Sequence, residues 1–141
     1  GISVQLFGAD GVDSPDFLDI AGNSAEGTYI TTPFVFELGG AGANRVAQAF
    51  EREFGQAPDT WAALTYDAVG MIAEAIEKAG ENRKAIRDHL AGIDSPEEGY
   101  KGITGLTYFD QNGDCIKPAF VKIVIDGKFV AAKEQMLDTG M

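Results

Sequence analysis

Cysteine is nearly missing from this sequence. Cys115 is the one cysteine in 141 residues, so no internal disulfide can form. That agrees with a reducing compartment, and equally with a periplasmic chain that does not rely on disulfides. Histidine is as scarce: His89 stands alone in a helical stretch, without the partners that a metal site or a general base needs. Basic residues number 11 against 22 acids, a formal net charge of -11. Such a chain repels nucleic acid and anionic membrane surfaces, but not a small zwitterionic or cationic ligand. No apolar run approaches the roughly 18 residues of a membrane span, and no signal-peptide pattern stands at Gly1.

Reaction motifs are missing too. There is no HExxH, no paired-cysteine motif, no GxSxG and no Walker sequence. Gly39-Gly40-Ala41-Gly42 lacks both the GxGxxG spacing and the Lys-Ser/Thr ending of a phosphate loop, and reads as a flexible connection before a helix. Asp110, Asn112 and Asp114 open like a calcium loop. The glycine comes two places early, however, and Val121 stands at the twelfth position where a bidentate Glu is required, so a plain turn is expected. Cys115 has no histidine near it and follows an acid, and reads as an inert structural cysteine. No cofactor or metal is implied, and the sequence shows no assembled catalytic machinery.

What is present is the material of a folded α/β domain. Hydrophobic residues make up 45% of the chain and aromatics 10%, enough for a core. Val4 to Phe7 is an apolar strand, followed by a glycine-flanked loop around Asp10. Asp13 or Ser14 then caps a short helix, with Pro15 at its first position. Gly27 to Phe36 is a β-branched and aromatic strand that ends or turns at Pro33. Helices are expected over Asn44–Phe54, Trp61–Ala79 with Asp59-Thr60 as cap, and Arg83–Ala91 with Asn82 as cap. On the longest helix Trp61, Leu64, Ala68, Met71, Ile72, Ala75 and Ile76 form the apolar side. Ile103–Phe109 is a strand, residues 110–114 a turn, and Ala119–Ile125 with Lys128–Ala132 a β-hairpin about Asp126-Gly127. The tail from Lys133 to Met141 is expected to fray.

Some residues suit the holding of something small. Asp10 lies beyond the carboxyl end of the first strand, where open α/β sheets bind ligands; it is either a solvated turn acid or a carboxylate for an ammonium group. Thr32 and Phe34 offer a hydroxyl and an apolar face near a strand exit. Tyr66 and Asp67 sit one turn into the long helix, off its main apolar stripe. Tyr66 can equally pack or snorkel, and Asp67 is favoured there by the helix dipole alone.

Several segments, in order, resemble the carboxyl-terminal part of the leucine/isoleucine/valine-binding family, the substrate-binding proteins of branched-chain amino-acid ABC transporters. They are Gly8-Ala9-Asp10-Gly11-Val12, Ala25-Glu26-Gly27, Thr32-Pro33-Phe34, Phe54-Gly55-Gln56-Ala57-Pro58 and Ala62-Ala63-Leu64-Thr65-Tyr66-Asp67-Ala68. Gly102-Ile103-Thr104-Gly105, the run Phe109 to Asp114, and Asp126-Gly127-Lys128-Phe129-Val130 follow. The resemblance covers about residues 4–131.

It implies part of a type I periplasmic-binding fold, two αβα-sandwich lobes joined by crossovers and closing on a ligand. Residues 1–35 would belong to the carboxyl-terminal lobe, 36–117 to the amino-terminal lobe, and 118–141 would cross back with the hairpin. Family members are well over twice this length. The chain is therefore expected to be a piece whose exposed apolar surface is covered by self-association or by the remainder of the polypeptide. By position, Asp10 matches the family's acid that accepts hydrogen bonds from the ligand's α-ammonium, which is commonly Glu. The implied partners are an amino acid or analogue and the permease subunits, with a periplasmic or lipid-anchored extracellular location. A ligand-sensing domain of a receptor or regulator shares the fold. A small α/β enzyme is the third reading, and it lacks a nucleophile–base pair.

Overall fold

A computed structural model describes residues 3–135. The part of the expected frayed tail from residue 136 onward lies outside them.

Two sheets divide the strands. The first has the order β1-β2-β6-β7, with β1 (Phe7–Gly8) parallel to β2 (Tyr29–Thr32), and β6 (Phe120–Ile125) antiparallel to both β2 and β7 (Lys128–Ala131). The second is a meander of β3 (Tyr100–Gly102), β4 (Gly105–Phe109) and β5 (Cys115–Ile116). Between β2 and β3 run α2 (Gly40–Phe54), α3 (Thr60–Ala79) and α4 (Arg83–Ala91), and α1 (Pro15–Ala21) lies between β1 and β2.

Helix starts follow side-chain capping. Ser14, not Asp13, caps α1 by accepting from Phe17 N at 3.3 Å, with Pro15 at the first position. Asp59 accepts from Ala62 N at 2.8 Å, and Asn82 from Lys84 N and Ala85 N at 2.9 and 3.1 Å. The final hairpin turns on Asp126 and Gly127 at φ 51° and 69°, the left-handed pair of a type I′ turn. Glu26, from the segment before β2, holds this turn by accepting from Asp126 N at 3.0 Å.

The first strand is shorter than Val4–Phe7. It pairs only through Phe7 and Gly8, and Val4 and Phe7 are 69% and 77% exposed. As the end strand of its sheet among the described residues, it has a partner on one side alone. Helix α2 begins at Gly40, four residues before Asn44, so most of the glycine-rich break is helical. Gly39 is needed for close approach: a Cβ there would stand 2.7 Å from the Phe34 ring and 2.6 Å from Ala43 Cβ. Strand β3 was not expected; it pairs with β4 through Tyr100–Thr107 and Lys101–Leu106.

The apolar stripe of α3 is the inward face only in part, through Ala75. The buried positions are Thr60, Ala63, Asp67 and Ala75, while Trp61, Ile72 and Ile76 are 44%, 48% and 41% exposed. Leu64 and Met71 instead line a groove of about 390 Å³ with Pro33, Phe109 and Lys117. The sheets and helices leave much of the periodic side of α3 uncovered among the described residues, and take Thr60, Ala63 and Asp67 inward together with Ala75. Cys115 is likewise exposed, on a two-residue strand, rather than buried in structure.

Candidate functional site

The loop after β1 carries Asp10 in a 3-10 turn over Asp10–Val12, closed by Asp13 N donating to Asp10 O at 2.9 Å. The Asp10 residue is exposed. It stands beyond the carboxyl end of β1, the edge where α/β sheets present ligand groups. Gly8 lets this loop sit tight on the sheet, since a Cβ there would stand 2.8 Å from Val12 Cγ2.

Thr32 and Phe34 are placed at the strand exit but face inward. Thr32 is 2% exposed, and its hydroxyl donates to Asp13 Oδ2 at 2.7 Å. Phe34 is 3% exposed and packs with Ala43 and Ala63, its ring edge-on to Phe36 at 5.0 Å. Neither offers a free face to a ligand; the strand ends pointing into the core because Pro33 turns the chain there.

Tyr66 and Asp67, adjacent on α3, part company. Tyr66 is 53% exposed and borders a recess of about 410 Å³ with Gly39, Ala43, Tyr100 and Lys101. Asp67 is 2% exposed and anchors the β3–β4 turn: Oδ1 accepts from Ile103 N at 2.8 Å and Oδ2 from Thr104 N at 2.8 Å. The Thr104 hydroxyl also donates to Oδ2. Gly102 makes room for this, because a Cβ there would overlap the Asp67 carboxylate. The acid is thus a structural acceptor rather than a dipole-favoured surface charge. Burial raises the pKa of the Tyr100 phenol, and the charge of Asp67 raises it further.

Lys117 extends the Asp67 cluster by donating to Thr104 Oγ1 at 2.8 Å. Its half-burial holds the ammonium below the usual lysine range, against the opposing pull of Cys115 and Asp67.

A second buried cluster was not singled out from sequence. Lys122, on β6, donates to Asp13 Oδ1 and Oδ2 at 3.0 and 2.9 Å and to Thr60 Oγ1 at 2.8 Å. The Thr60 hydroxyl donates to Asp13 Oδ2 at 2.7 Å, beside Thr32. Both ionised side chains are almost wholly enclosed, with relative exposures of 10% and 3%. Every oxygen of the carboxylate is met by a donor, the condition under which a buried ion pair is tolerated. The readable signal was phase: Lys122 shares its strand face with Val124, which is fully buried, and an inward lysine needs a carboxylate.

No group of three or more His, Cys, Asp or Glu side chains is arranged to hold a metal among the described residues. No described helix is long and apolar enough to cross a membrane.

The model of the periplasmic binding protein family matches residues 1–128. The chain belongs to that family.

A curated relative, the leucine-, isoleucine-, valine-, threonine-, and alanine-binding protein of Pseudomonas aeruginosa, is 29% identical over 115 residues, 81% of this chain and 29% of that protein. The branched-chain amino acid transporter substrate-binding protein of Streptococcus pneumoniae, solved with isoleucine, matches with a TM-score of 0.84 and 30% identity over 96% of this chain and 38% of its own. A leucine binding protein of Thermotoga maritima matches with a TM-score of 0.82 and 28% identity over 94% of this chain and 37% of its own. The α/β arrangement is therefore part of a type I periplasmic-binding-protein fold. The chain spans only 29% to 38% of the length of these relatives.

Proposed function

We propose that this chain is part of the solute-binding component of an ABC transporter, capturing an amino acid or close analogue and presenting it to a membrane permease from the periplasm. The observation that supports this most is the match over 96% of the chain to a relative solved with isoleucine. The relatives are binding proteins, which retain their ligand unchanged. In this reading capture needs closure of two lobes and no bond is made or broken.

In the same reading the sheet β1-β2-β6-β7 belongs to one lobe, through segments 1–35 and 118–135. Segment 36–117, with α2 to α4 and β3 to β5, belongs to the other. Asp10 is the ligand's ammonium acceptor, exposed at a strand end with its carboxylate open to solvent. Tyr66, half-exposed on α3, is the contact from the facing lobe. Thr32, Phe34 and Asp67 support the site from behind, since their polar atoms or rings are already engaged. The rest of the binding surface lies in the two thirds of a family member's length that this chain does not span.

Calorimetric titration of the full-length protein with leucine, isoleucine, valine, alanine and benzoate tests the proposal. Saturable binding of at least one α-amino acid is expected. Absence of binding across the amino acids, with a folded protein, contradicts it.

A further inference from the structure

Among the described residues the chain passes between its two sheets at residues 33–35, after β2, and at residues 117–119, before β6. Both passages end on one carboxylate. Thr32, immediately before the first passage, donates to Asp13 at 2.7 Å; Lys122, just after the second, donates to it at 2.9 Å. The remaining member, Thr60, comes from α3, the helix whose Asp67 holds the β3–β4 turn. Thr60 is thus the polar side chain by which the second unit reaches into the junction. Phe34 O, within the first passage, lies 3.2 Å from both threonine hydroxyls.

We propose that the Asp13–Thr60–Lys122 cluster is the pivot of lobe closure, an inference that rests on the two-lobed capture reading above. A rotation about an axis through Thr60 Oγ1 leaves its bonds to Asp13 and Lys122 intact. A motion centred far from it pulls Thr60 away, which takes one donor from the buried Asp13 carboxylate and one acceptor from Lys122, and that is costly. The cluster therefore favours closing motions whose axis passes close to Thr60 Oγ1 over those centred far from it. At the second passage, Lys117 is tied to Thr104 and, beyond its end, Lys122 to Asp13, while Pro118 and Ala119 between them are exposed. Proline has a fixed φ, so the bending falls mainly on Ala119.

The pivot makes Thr60 a positioning residue for binding, remote from the ligand's own contacts. Loss of its hydroxyl lets the lobes sample geometries that cannot close on ligand, and apparent affinity falls with the competent fraction.

The test uses the full-length protein with one fluorophore on each lobe. Single-molecule transfer gives the interlobe distance distribution, and calorimetry on the same samples gives amino-acid affinity. Thr60→Val is expected to broaden the ligand-free distribution and weaken binding about tenfold, and Thr60→Ser to restore both. An unchanged distribution in Thr60→Val, or no rescue by serine, overturns the pivot. If the valine variant fails to fold, hydrogen exchange of the Lys122 ammonium in the unaltered protein decides. Equal protection with and without ligand supports a pivot, and loss of protection in either state overturns it. Interlobe motion without amino-acid binding removes the capture reading while leaving the pivot to the distance data; one fixed distance under every condition overturns the pivot itself.

Discussion

Asp13 and Lys122 stand 109 residues apart in sequence and meet as a buried ion pair at 2.9 Å. The pair joins the loop after the first strand to the strand that leads into the final hairpin. Its ammonium also lies 5.9 Å from the centre of the Phe129 ring, on the neighbouring strand. Removing one charge leaves the other enclosed without its partner. Lys122→Met is expected to lower the unfolding free energy by about 3–5 kcal/mol. Asp13→Leu combined with Lys122→Met should lose much less than the sum of the single changes. Denaturant unfolding of the four proteins measures this, and simple additivity would deny the pairing.

Gly39 should not tolerate a side chain. A methyl group there collides with the Phe34 ring and with Ala43, both in the core. Gly39→Ala is expected to destabilise by about 1–3 kcal/mol through overpacking. An unchanged thermal midpoint would mean that the first turn of α2 sits farther from Phe34.

Acid should loosen the turn between β4 and β5. Asp110 accepts from Asn112 N at 2.8 Å and Asp114 N at 2.9 Å, and these backbone bonds hold its carboxyl below the usual value of 3.8. A depressed carboxylate contributes stability that is present above its unfolded pKa and is lost as pH falls through its folded one. The amide of Gly113 is therefore expected to exchange faster on acidification below about pH 4, beyond the intrinsic pH effect, and Asp110→Asn should flatten that dependence. The same pH profile in wild type and variant would exclude Asp110 as the cause.

The uncovered side of α3 makes a prediction for the isolated 141-residue chain. Trp61, Val69, Ile72 and Ile76 are 44%, 60%, 48% and 41% exposed. Contiguous apolar surface of this kind drives association. Light scattering should find the isolated chain self-associated, and Ile72→Lys with Ile76→Lys should shift it toward monomer. A monodisperse monomer without those substitutions would contradict the expectation.

Local rules made much of this fold legible. Ser14-Pro15, Asp59 and Asn82 announced three helices, and Asp126-Gly127 a hairpin, because capping and turn chemistry act over a few residues. Tertiary decisions were less visible. The period of α3 marks an apolar side but not what covers it, so Thr60 and Asp67 took the inward positions unannounced. Asp13 looked like a cap, since its partner Lys122 lies at the other end of the chain. Strand β3, Tyr100-Lys101-Gly102, is short and half polar, and pairing with β4 rather than its own composition makes it a strand. Asp10 drew notice because a glycine-flanked acid after a strand is a local pattern with a positional meaning, and the structure leaves it exposed in that loop.

The central claim is that Asp10 receives the ammonium group of a captured amino acid. Its direct test is calorimetry of the full-length protein and its Asp10→Ala variant with the tightest-binding amino acid, alongside a circular-dichroism check of folding. The account predicts a loss of roughly 2 kcal/mol or more, about thirtyfold in affinity, with the fold unchanged. Equal affinity in the two proteins would contradict it.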